Sequence, residues 1–171
     1  MEGYWRTTVF TVRACERHDL DRIVYPVAFC LRQYLELALK DAIATTYRVA
    51  HEPSRFPRTH SLKVLWAELT RRLREINPDV IPSLDVVGAC VEKFHAVDPS
   101  GEGFRYPQLC DGRDSLDRQI TTINVRQLVE QMEPVHATLE TLDWYLSRLV
   151  ESADEIATEH AGHPSPRRHR I

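Results

Sequence analysis

The chain has 171 residues, 43% of them hydrophobic, and a formal net charge of −3, which suffices for one domain burying roughly 70% of its unfolded surface and exerts no bulk pull toward nucleic acid. Its four cysteines, Cys15, Cys30, Cys90 and Cys110, form no C-x-x-C pair, arguing against a zinc knuckle or a thioredoxin-like dithiol; Cys30 and Cys90 read as small core residues in a reducing compartment. Met1 to Val12 has no apolar signal-type region, and no apolar run reaches the ~20 residues of a membrane span, so a cytoplasmic protein without a membrane partner is expected.

Tyr4 to Val12 is rich in aromatic and β-branched residues and predicts a strand. Asp19 or Asp21 can open a helix. From Val24, the positions Val27, Ala28, Leu31, Leu35, Ala38, Leu39, Ala42 and Ile43 recur at steps of three and four, predicting a helix with one buried stripe and Pro26 in its first turn or at a kink. Residues 51–59 carry two prolines and no period, and read as a loop. Leu62, Leu65, Trp66, Leu69, Leu73 and Ile76 mark a second helix stopped by Asn77-Pro78. Ser83 is the expected N-cap of a third helix, with Leu84, Val87, Val91 and Phe94 inside and its end near Asp98-Pro99.

Residues 99–124 are irregular, and Phe104 to Leu109 can pair with Arg118 to Val125 as a short hairpin; connections this long are usually functional or flexible. Asn124 with Gln127 fits a capping pair, and Val125, Leu128, Met132, Val135, Leu139, Leu142, Leu146 and Leu149 form a heptad-like seam. Pro134 predicts a kink within it. The stretch from Ala161 is basic and proline-containing, as disordered tails are. The expected fold is mostly α, an antiparallel four- to five-helix up-and-down bundle with a small β-hairpin. Its expected parts are a strand-like lead-in at 1–18, the helical domain at 19–158 and a disordered basic tail at 159–171.

Arg32, Glu36 and Lys40 stand four apart on the first long helix, as two i,i+4 ion pairs on a solvated face or as part of a site. His60 precedes the second helix and can satisfy a backbone group or act chemically. Arg105, between Phe104 and Tyr106-Pro107, can anchor its loop to a carboxylate or meet a phosphate. The basic run Arg71-Arg72-Arg74 reads as solvated surface. With no Gly-rich phosphate loop, no G-x-S-x-G, no H-x-x-x-H and no paired carboxylates at ligand spacing, neither a metal nor a cofactor is expected.

Tyr34-Leu35-Glu36-Leu37-Ala38-Leu39-Lys40-Asp41-Ala42-Ile43, then His60-Ser61-Leu62 with Leu65-Trp66, then Phe104-Arg105-Tyr106-Pro107 and a long closing helix, together resemble a bacterial protein of the HEPN superfamily over roughly Val24 to Leu149. The resemblance implies a bundle of four or five helices, often a homodimer, that acts on RNA. Its active members are metal-independent ribonucleases, frequently toxins or anti-phage components, with an Arg-x(4–6)-His motif; others are inactive RNA-binding or assembly modules, or partners of nucleotidyltransferases or antitoxins. Arg13 to His18 and Arg55 to His60 both match the bare motif. On this reading His60 is the acid–base group, Arg55, Arg58 or Arg105 stabilises phosphorane charge, and Arg32, Glu36, Lys40 and Tyr106 orient or bind. The rival reading is a non-catalytic helical module for a protein partner or a nucleotide, in which the same polar groups form a structural network.

Overall fold

The structure, a computed structural model, describes residues 2–55, 57–105 and 123–161. It is mostly helical: α1 (Glu2–Ala14), a 3₁₀ turn (Arg17–Arg22), α2 (Val24–Val49), α3 (Leu62–Ile76), a 3₁₀ stretch (Pro78–Leu84), α4 (Asp85–Val97) and α5 (Val125–Ala161). No strand occurs among the described residues, and no described helix is long and apolar enough to cross a membrane. Most of the expected hairpin, and the tail from residue 162, lie outside them.

The expected N-terminal strand is instead α1. Trp5, Thr8 and Val12 are buried at steps of three and four, and the core they enter outweighs the β preference of their side chains. Thr8 also places its hydroxyl on the Tyr4 carbonyl at 2.8 Å, a bond available only within a helix turn. This segment is therefore no lead-in: Trp5 and Val12 belong to the same core as α2 to α5.

Helix α2 is the central element, packing on α1, α3 and α5; Leu31, Leu35, Leu39 and Ile43 are fully buried along it, and Pro26 lies in its first turn. The α5 seam buries Val125, Val129, Met132, Val135, Leu139, Leu142 and Leu146 against it, with Leu128 and Leu149 partly buried at the margin. Asn124 caps α5 by accepting the Gln127 N–H at 3.1 Å. Ser83 caps nothing: residues 78–84 wind as 3₁₀, and its hydroxyl is spent on the Val80 carbonyl at 2.6 Å.

The strict up-and-down order fails between α2 and α3. His60 lies against Glu36, whereas ten to twelve residues on in both segments Arg72 lies against Thr46, so the two helices run in the same direction. The cause is the extended, proline-bearing segment 50–61: at about 3.3 Å per residue it carries the chain back along α2 before α3 begins. Helix α5 also runs with α2, since Tyr34 meets His136 and His51 meets Asp154. By contrast α4 opposes α3, with Lys63 against Glu92 and Gly88 against Trp66. The return segment and the end of α4 thus converge on one side of α2.

Candidate functional site

At that convergence the chain buries charge. Glu36, on α2, is 1% exposed and receives three donors: Lys40 Nζ at 2.8 Å, His60 Nδ1 at 2.9 Å and Arg32 Nη1 at 3.0 Å. Arg32, one turn earlier, also donates Nη2 to the His60 carbonyl at 2.6 Å, and its Nε lies 3.2 Å from Asp98 Oδ2. That last contact is an ion pair without a directed hydrogen bond. Asp98, at the C-terminal end of α4, turns its other oxygen to the backbone N–H groups of Gly101 at 2.8 Å and Gly103 at 3.0 Å. The guanidinium and Gly101 pack so closely that a Cβ there would stand 2.8 Å from both Nη atoms; together with the positive φ of 84°, this requires glycine.

The i,i+4 ladder is therefore not a solvated face. Arg32 and Glu36 are both buried because the return segment and the α4 end close over them, two contacts remote in sequence. A carboxylate in such a place must be paired. Burial pushes the Glu36 carboxyl upward, but the bonds from Lys40, His60 and Arg32 outweigh it and hold the group below its ordinary 4.5. In acid the folded state consequently binds fewer protons here than the unfolded chain does. The stabilisation from this group is complete above about pH 4.5 and is lost as pH falls through the lowered folded-state value. Urea midpoints measured from pH 7 to 3 should drop more steeply in the wild type than in Glu36→Gln; parallel curves would contradict this placement.

The remaining candidates divide. His60 has its Nδ1 on Glu36, yet its side chain is 70% exposed, and Nε2 has no partner among the described residues. Lys40 is partly exposed beside it. Arg55 and Arg58 are exposed on the same return segment, with the Tyr47 hydroxyl 3.3 Å from the Arg55 carbonyl. Arg105 sits over the Phe29 ring at 5.7 Å, beyond the Asp98 turn, so its loop is fastened to α2 one turn before Arg32; Tyr106 lies outside the described residues. The other motif match disperses, with Arg13 on Glu133 and His18 exposed between Glu16 and Asp19.

Two residues matter more than their local sequence shows. Asp98 is 1% exposed, and its only forward signals are the glycines at 101 and 103, which permit a backbone nest around a carboxylate. Arg72 is not solvated surface. It is buried with its guanidinium 4.1 Å over the Tyr47 ring, bonded to the Thr46 carbonyl at 3.3 Å and to Glu52 at 2.9 Å, where it pins the start of the return segment to α3. The open groove of about 640 Å³ bordered by Asp21, Asn124, Arg126 and Glu130 shares no residue with the Glu36 network. No family model, curated protein or solved structure matches the chain.

Proposed function

We propose that this chain is a HEPN-like helical domain directed at RNA, acting as a metal-independent endoribonuclease with His60 as its acid–base group. The observation that carries the reading is the Glu36–His60 pair: a buried carboxylate holds Nδ1 while the ring projects outward. With Nδ1–H donated to Glu36, Nε2 bears the lone pair and can take the proton of a ribose 2′-hydroxyl. The 2′-oxygen attacks the adjacent phosphorus, the P–O5′ bond breaks with the leaving 5′-oxygen taking a proton from water, and a 2′,3′-cyclic phosphate and a 5′-hydroxyl result, after which His60 returns its proton to solvent. Lys40 beside the pair and the arginines at 55, 58 and 105 would supply positive charge for the phosphorane. Members of such a family often pair as homodimers or sit beside a nucleotidyltransferase or antitoxin, and those partners belong to the same proposal.

A second reading, a non-catalytic module for a protein or nucleotide, is favoured by the depth of Arg32, Glu36 and Asp98, which suits a structural staple. One assay separates them. Purified protein is incubated with bulk RNA in the presence of chelator, and the wild type is compared with His60→Ala, whose exposed ring can be removed with little loss of packing. The nuclease reading expects cleavage to fall by about 10²- to 10⁴-fold with the fold retained. Cleavage unchanged in a folded His60→Ala protein, or no cleavage by the wild type, favours the module.

A further inference from the structure

On the opposite side of α2, Tyr34 faces α1 and α5, about 200° around the helix from Glu36. There His136 and Glu140 stand one turn apart on α5, and Glu2 reaches them from the first turn of α1. Nε2 of His136 lies 3.5 Å from a Glu140 carboxylate oxygen, close to the ~3.3 Å edge of a tetrahedron with ligands about 2.0 Å from a zinc ion. A Glu2 oxygen completes three donor atoms all within 4.8 Å of one another. The histidine is fixed from behind: Nδ1 is 2.7 Å from the Tyr34 hydroxyl, Tyr34 itself is 1% exposed, and the imidazole stacks on Trp5 with centroids 4.4 Å apart. Outer hydrogen bonding of this kind sets which nitrogen is left for a metal and how the ring is aimed. Neither Glu2 nor Glu140 pairs with a lysine or arginine among the described residues; Glu140 alone is within ion-pair distance of the imidazole, and the Glu2 carboxylate stands further out, within 4.8 Å.

We propose that Glu2, His136 and Glu140 bind one divalent transition-metal ion of the zinc class. One imidazole and two carboxylates suit that class, and the exposed glutamates need only small rotamer changes to close on the ion. With Nδ1–H donated to the Tyr34 oxygen, the Nε2 lone pair is free to coordinate, and water takes the fourth position. The ion pins the N-terminal turn of α1 to the middle of α5, and because the three ligands meet only in the folded chain, it stabilises the fold by mass action. This site is independent of the RNA reading, whose assay contains chelator.

The test uses the full chain with Zn²⁺ alone, followed by titration calorimetry and thermal unfolding, and with Co²⁺ as a spectroscopic probe of geometry. One equivalent should bind, Co²⁺ should give tetrahedral visible absorption, and Tm should climb with free Zn²⁺. Glu2→Gln and Glu140→Gln should each weaken binding at least about tenfold and abolish the Tm rise while leaving the metal-free Tm unchanged, since both side chains are exposed. No saturable binding by the wild type, or either variant binding as tightly as the wild type, would overturn the assignment; in the latter case the ion sits on cysteines or histidines elsewhere.

Discussion

Arg32→Ala is expected to cost about 3 to 5 kcal/mol of folding stability, the range for removing one partner of a buried ion pair. The guanidinium touches three things at once: the Glu36 carboxylate, the His60 carbonyl and Asp98. Without it Glu36 keeps Lys40 and His60, so most of the cost falls on Asp98, whose buried Oδ2 loses the positive charge 3.2 Å away. The accompanying Asp98→Ala change should therefore cost less in the Arg32→Ala background than in the wild type, a coupling of about 0.5 to 3 kcal/mol in a double-mutant cycle. Arg32→Lys cannot substitute, because one ammonium cannot span three acceptors in a plane. Denaturant unfolding measures the four proteins of the cycle together with Arg32→Lys, and a loss below about 1 kcal/mol for Arg32→Ala would show that the network does not anchor the end of α4.

Leu35→Ala and Leu139→Ala should each cost about 2 to 5 kcal/mol. Leu35 is fully buried and Leu139 is 3% exposed; they lie on α2 and α5, two helices that pack together. Truncation removes the transfer free energy of the lost methyl groups and leaves a cavity that tightly packed neighbours cannot close. Leu149, only partly buried at the edge of the same seam, should lose less on truncation. If both core variants keep the wild-type unfolding midpoint, the pairing of α2 with α5 is wrong.

The two predictions together separate what α2 does on its different sides. One face supplies apolar burial to α3 and α5, and another supplies a charged network that fixes where the return segment and the α4 end come to rest. An ion network of this kind adds little net stability relative to apolar residues of the same shape. What it does is place His60, since Arg32 grips its backbone and Glu36 its ring.

Along the chain, the sequence by itself determined the helices from Val24 onward, because long apolar stripes at steps of three and four have only one economical burial, and because Asn124 and Asn77-Pro78 mark ends through local backbone chemistry. It also grouped Glu36, Lys40, His60 and Arg105 into one cluster, through spacing and family resemblance; the first three meet, while Arg105 lies over the Phe29 ring one turn before Arg32. Three matters were decided only by the tertiary structure. Residues 4–12 form a helix because the buried faces of Trp5, Thr8 and Val12 outweigh their local β preference. Helix α3 runs with α2 because an extended segment leaves the direction of its return open until Arg72 and Tyr47 pin one end and Arg32 and Glu36 the other. Arg32, Arg72 and Asp98 are buried because their partners come from residues 20 to 66 positions away in the chain, and no local pattern of charge distinguishes an arginine that will be covered from one that will stay in water.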